Sequence, residues 1–178
     1  VRRKAEMLIE DFMICANESV ATHIYWQKLP FVYRIHEYPK QEKIATFSRL
    51  IKPLGYSIKG EQNGVHPKEM QSLLKRIKND DVREVVASLM LRSLAKAKYD
   101  IKNVGHYGLA SDCYTHFTSP IRRYPDLMVH RLLKLYMNYD NLDIDELNEK
   151  LFYQAEHSSV CERKAISLER EVESMKMA

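Results

Sequence analysis

The sequence predicts a mainly α-helical fold with a few short strands and about six helices. Three observations predict it. Apolar residues recur at helical spacing over long segments. Glycine is scarce, 5 residues in 178, too few for the tight hairpins of an all-β sandwich or barrel. Aromatic and β-branched residues form only a short continuous run, Phe31 to His36.

The elements follow in order. Ala5, Leu8, Ile9, Phe12, Met13, Ala16, Val20 and Ile24 form an i, i+3/i+4 stripe, so the first helix is expected to bury that face, with Cys15 packed on it. The pattern starts directly after Val1-Arg2-Arg3-Lys4, so the N-terminus reads as cut inside a helix. Pro30 ends this helix, and Phe31 to His36 reads as a strand closed by Pro39. Glu42 to Leu54 is amphipathic, with Gly55 at the C-cap position, and Ser57 to Val65 is a polar loop. His66-Pro67 opens a further helix. Asp81, with Glu84 three residues on, is expected to cap the next, whose stripe is Val82, Val85, Val86, Leu89, Met90 and Leu94. Lys96 and Lys98 favour its C-terminal end. Val104 to Phe117 breaks the period and reads as loop plus extended segment. Thr118-Ser119-Pro120 signals a helix start with Ser119 as cap, and Pro125 a second start or a kink. Asp143 to Asp145 caps a last helix that runs unbroken to Ala178 with no stop signal, so this end also reads as cut.

By length alone the chain is one domain. Lys plus Arg is 28 and Asp plus Glu 24, a net charge of +4, which permits a polyanionic partner without requiring one. Three widely spaced cysteines, Cys15, Cys113 and Cys161, form no Cys-x-x-Cys pair, and a reduced intracellular protein is expected. No apolar run approaches ~18 residues, so no membrane span is expected. No glycine triplet of the dinucleotide type and no Gly-Lys-Ser/Thr loop occurs. The histidines lack zinc spacing, so no metal site is readable from them.

The chemistry concentrates in residues 114 to 127. A helix starting at Ser119 would aim unpaired N–H groups at the preceding loop. Arg122 and Arg123 in its first turn oppose the helix dipole unless they share an anion with that helix end. Thr115, Thr118 and Ser119 add hydroxyl donors; Tyr114, Phe117 and Tyr124 add faces for bases, a set that suits a phosphodiester strand. The bland alternative is that both arginines only pair with Asp126. Glu10, one face of a helix shared with Asn17 two turns on, suits a ribose hydroxyl or a metal-bound water, or else a salt bridge with Arg3.

These residues resemble the RNB family of exoribonucleases. The resemblance is carried by Gly105-His106-Tyr107-Gly108-Leu109-Ala110, by Tyr114 to Leu127 with its Thr118-Ser119-Pro120-Ile121-Arg122-Arg123-Tyr124-Pro125-Asp126 core, and by His130-Arg131. Leu8 to Asn17 is similar to the family's Ile-Glu-Glu-x-Met-Ile-x-Ala-Asn helix, and Arg34-Ile35-His36 with Pro39 to its Arg-Ile-His segment. Four motifs stand in family order over nearly the whole chain, closest to the bacterial ribonuclease R branch. The resemblance implies 3′-to-5′ processive hydrolysis of single-stranded RNA to nucleoside 5′-monophosphates by a cytoplasmic enzyme. It implies magnesium held by an aspartate cluster, Asp-x5-Asp-x-Asp-Asp, whose spacing does not occur in this chain. Residues 1–178 are then expected to be the C-terminal portion of the catalytic domain. Its upstream half and the OB-fold RNA-binding domains would be missing, and the chain inactive alone.

By the same resemblance Arg122 matches the catalytic arginine and Glu10 the active-site glutamate at the terminal nucleotide. Glu169 matches a further glutamate of that pocket. Arg123, Thr115, Thr118, Ser119 and Tyr124 are RNA contacts expected from their chemistry alone. The competing readings are a non-catalytic helical RNA-binding module and a helical protein-interaction domain.

Overall fold

The computed structural model describes residues 3–60, 64–138 and 142–177. Among these residues there are six α-helices and one two-stranded sheet, as the sequence predicts. Chain contacts divide into two compact units. The first comprises residues 1–35, 98–104 and 113–178, the second residues 36–97 and 105–112. No described helix is long and apolar enough to cross a membrane.

The first unit is built on three helices and a strand pair. Helix α1 (Lys4–Gln27) ends where Lys28 turns left-handed and its N–H caps the Tyr25 carbonyl, two residues ahead of Pro30. Strands β1 (Tyr33–Ile35) and β2 (Lys98–Asp100) pair antiparallel, with Arg34 opposite Tyr99. The first strand is thus shorter than its aromatic run. The second lies where the sequence pattern showed a helix end: Lys98 is its first residue, and the preceding helix stops at Ser93, short of both Lys96 and Lys98. Phe31 and Val32 are buried without being paired in the sheet. The core also takes Ala21, Ile24, Ile35, Val129, Leu132, Leu151 and Ala155. Helices α5 (Tyr124–Asn138) and α6 (Ile144–Met177) supply the last four of these. Asp143 caps α6, accepting from Asp145 and Glu146 N–H at 3.1 and 3.0 Å.

The stripe of α1 separates into two halves. Ile24 is in the core, but Leu8, Ile9 and Phe12 are 53–62% exposed, and Cys15 is exposed too. Helical spacing specifies which residues share a face; burial requires something opposite that face.

The second unit packs α2 (Gln41–Ile51), α3 (Pro67–Arg76) and α4 (Asp80–Ser93) around Ile44, Phe47, Ile51, Leu73 and Val86. Gly55 holds the expected left-handed C-cap after a 3-10 turn over Lys52–Leu54. His66 caps α3 through Nδ1, which accepts from Lys68 N–H at 3.2 Å. Asn79, not Asp81, caps α4: its Oδ1 accepts from Asp81 and Val82 N–H. Val85 is 53% exposed, off the buried side of that helix. Residues 61–63 of the polar loop, Val1 and Arg2 before α1, and Ala178 after α6 lie outside the described residues.

Burial raises the phenols of Tyr99 and Tyr136 in the first unit, and of Tyr107 in the second, to about 12. The unfolded chain releases these protons near pH ~10, whereas the folded chain keeps them to about 12. The folded state therefore holds more protons above pH ~10, and its stability falls as pH rises through that window. Denaturant midpoints should be flat up to pH ~10 and drop beyond it, with tyrosinate absorbance rising in step with unfolding.

Candidate functional site

The loop before α5 differs from the predicted helix start. Residues 120–122 form a turn, and the helix begins at Tyr124. The Ser119 carbonyl accepts from Arg122 and Arg123 N–H at 3.3 and 3.1 Å, and the Arg123 carbonyl from Leu127 N–H at 3.4 Å. Arg123 is thus the residue at the helix boundary. Pro125 lies in the first turn, where its missing N–H costs no helical bond. The Ser-Pro signal at 119–120 and the Pro signal at 125 compete for one helix, and the second prevails.

Two buried side chains hold this loop. Asn17 of α1 is 3% exposed. Its Oδ1 accepts from Phe117 N–H at 2.9 Å and Thr118 N–H at 3.2 Å, and its Nδ2 donates to the Tyr114 hydroxyl at 2.9 Å. Asp126 of α5 has no exposed surface. Its Oδ1 accepts from Ser119 N–H at 2.7 Å and from Arg123 Nη2 at 2.8 Å. Three successive amides, 117 to 119, are therefore bound by side chains from two helices. His130, one turn past Asp126, stacks on Phe117 at 4.3 Å, with its Nε2 3.0 Å from the Phe117 carbonyl.

The two arginines consequently differ. Arg123 is tied to a buried carboxylate, with a side chain 23% exposed. Arg122 is exposed, and its guanidinium makes no hydrogen bond or ion pair to the described residues. It stands at a cleft of about 670 Å³ also lined by Arg123, Tyr124, Tyr99 and the α6 residues Tyr153, His157, Cys161 and Glu162.

The floor of the cleft is built from the strand pair. Tyr99 N–H donates to Ser159 Oγ at 2.8 Å, and the hydroxyl donates onward to the Ala155 carbonyl at 3.0 Å. The small residues Ala155 and Ser159 let β2 lie close on α6. Arg34, opposite Tyr99 in the sheet, stacks its guanidinium 4.5 Å from the Tyr99 ring centroid and pairs with Glu162 at 2.7 Å. The Tyr99 hydroxyl meets His116 Nδ1 at 2.9 Å. Burial raises this phenol to about 12 while the Arg34 charge lowers it; burial dominates.

Of the predicted site residues, the structure brings Arg122, Arg123 and Tyr124 together at the cleft. Ser119 and Thr118 are in the loop behind it, their N–H groups already used. Thr115 is turned inward, 1% exposed, with its hydroxyl donating to the Val32 carbonyl at 2.7 Å. Glu10 is exposed on α1, two turns or about 10 Å from Asn17 along that helix. Glu169 is exposed on α6, one turn beyond Ala165, the last α6 residue of the cleft. Neither glutamate lines the cleft. The anchoring part of Asn17 and the wall of Tyr153 and His157 were missed. The only sequence signal for that wall is its i, i+4 spacing. The described residues contain no group of three or more His, Cys, Asp or Glu side chains able to hold a metal. They do not fit a magnesium centre.

The RNB domain family model matches residues 1–139. Ribonuclease R 1 of Lactococcus lactis is 46% identical over 98% of this chain and 22% of its own length. Ribonuclease R of Thermotoga maritima is 44% identical over 97% of this chain and 25% of its own length. The chain thus spans about a quarter of the length of these relatives. Among solved structures, Mycoplasma genitalium RNase R in complex with ribose-methylated single-stranded RNA superposes with a TM-score of 0.88 at 34% identity, over 96% of this chain and 27% of that one. Yeast Ssd1, a pseudonuclease, superposes with a TM-score of 0.75 at 29% identity, over 90% of this chain and 20% of that one.

A change at Asp126 should separate fold from surface. Removing one partner of a buried ion pair costs about 3–5 kcal/mol. Asp126→Ala should lower the urea-unfolding free energy by that amount, while Arg122→Ala leaves the urea midpoint unchanged.

Proposed function

The chain belongs to the RNB domain family, and from that premise we propose that it is the C-terminal portion of the catalytic domain of a 3′-to-5′ exoribonuclease. The substrate is single-stranded RNA and the products are nucleoside 5′-monophosphates. The observation that carries this reading is the division of labour in the arginine pair. Arg123 is neutralised by Asp126, and Arg122 is held out at the cleft with its charge uncommitted to the described residues.

Arg122 binds the scissile phosphate and offsets the charge that grows on its oxygens in the transition state. Arg123 holds the loop and adds positive potential. Tyr124 offers a ring at the cleft edge. Ser119, Thr118 and Thr115 position the loop through bonds they already make. Glu10 contacts the terminal nucleotide and Glu169 extends that pocket. The magnesium ions implied by the family resemblance belong, on this reading, to aspartates outside this sequence. The upstream half of the RNB domain and the OB-fold domains complete the RNA path in a cytoplasmic enzyme.

The likeness to a pseudonuclease favours a second reading, an RNB fold that binds RNA without cutting it. One experiment decides between them. With magnesium and labelled RNA, the isolated chain should release no mononucleotide. Placed in the matching segment of Lactococcus lactis ribonuclease R 1, it should support hydrolysis, and Arg122→Ala there should lower turnover about 10²- to 10³-fold. A chimera that binds RNA and never cuts it supports the second reading. A chimera whose rate is untouched by Arg122→Ala refutes the assignment of the arginine.

A further inference from the structure

The cleft is much larger than a phosphate needs, and its remaining wall has a definite chemistry. Tyr153, His157, Cys161 and Ala165 recur every fourth residue along α6, so they form one stripe spanning about 18 Å. Tyr153 is 70% exposed although it lines the cleft. Its ring lies nearly parallel to that of His157, 14° between planes and 6.4 Å between centroids. In the same lining, beside Arg122, Tyr124 is 50% exposed. Large aromatic rings left open to water on two walls of one cleft contribute nothing to the core. They do offer flat faces for stacking.

Charge decides what such faces would take. Glu162, the one acidic residue of the lining, is paired with Arg34 at 2.7 Å. Arg123 is paired with Asp126, so the uncommitted charge at the cleft is the Arg122 guanidinium. Two open aromatic walls with a cation at one end match a planar base attached to an anion, which is one nucleotide unit.

We propose that Tyr153 and His157 on α6, with Tyr124 of the same lining, form a base-stacking subsite of the cleft. It receives a nucleobase of the strand whose phosphate lies on Arg122. The inference rests on the phosphate reading of Arg122 and adds the base contact to it. The recognition is of the ring face, so it tolerates any of the four bases. Nothing in the lining supplies a paired amide that would read one base edge against another, apart from the single amide of Gln154.

The test uses the chain itself and two ligands, a fluorescently labelled single-stranded RNA oligomer and an abasic ribose-phosphate oligomer of equal length and charge. Fluorescence anisotropy at low salt gives both affinities. Tyr153→Ala should weaken binding of the RNA about tenfold or more, the cost of one lost stacking contact, and leave the abasic strand unaffected. His157→Ala should act in the same direction. Tyr153→Phe, which keeps the ring, should restore wild-type binding. Both residues are exposed, so the variants should melt like the parent. Arg122→Ala should weaken both ligands together. Equal RNA affinity for Tyr153→Ala and the parent, or equal losses on RNA and abasic strand, overturns the stacking subsite. An Arg122→Ala variant that binds both ligands normally overturns the phosphate reading instead. Failure of the parent chain to bind either ligand at low salt refutes both for this chain.

Discussion

A buried carboxylate is stable only where its oxygens meet donors, and a buried amide only where its dipole is answered at both ends. Asn17 and Asp126 are two such groups: Asn17 Oδ1 takes the Phe117 and Thr118 N–H groups, and Asp126 Oδ1 takes the Ser119 N–H together with the Arg123 guanidinium. Neither residue belongs to the stretch 117–119. Asn17 comes from α1, about a hundred positions earlier, and Asp126 from the helix that follows. Everything that displays Arg122 depends on this cradle: the amides of residues 117 to 119 are fixed, the Ser119 carbonyl then closes the turn over 120–122, and the turn sends successive arginines in different directions.

The asymmetry follows from geometry rather than from residue type. Arg123 has the carboxylate three positions on, across one helical turn, and takes it. Arg122, one residue earlier, lies in the turn before the helix and does not pair with that carboxylate. The strand pair then provides the opposite side. Arg34 over Tyr99 neutralises Glu162, which would otherwise place a bare negative charge in a cleft suited to an anion. The pairing removes repulsion as much as it adds stability.

The helices were legible in the sequence because periodicity and caps are local. Asp143, His66 and Gly55 act as their neighbours suggested. The helix start at Ser119 was misread because two overlapping proline signals are locally equivalent, and a tertiary bond from Asp126 chooses between them. The exposed half of α1 was misread for a different reason: Leu8 and Phe12 have the spacing of a buried stripe, and spacing carries no information about what lies opposite. Arg122 was legible from its motif. Its freedom was not, since spacing alone left open that both arginines pair with Asp126. Tyr153 and His157 were hidden in a long charged helix, where i, i+4 aromatics are unremarkable until a cleft opens beside them.

Anion binding at the cleft depends on the unequal states of two adjacent guanidinium groups. Nitrogen-15 NMR of the arginine side chains observes them directly. In the free chain the Arg123 guanidinium signals should be resolved and slow to exchange with solvent, and those of Arg122 averaged and fast. Addition of single-stranded RNA should shift the Arg122 signals and slow their exchange, and leave Arg123 in place. RNA that shifts Arg123 while Arg122 stays unperturbed, or two arginines already equivalent in the free chain, would contradict this asymmetry.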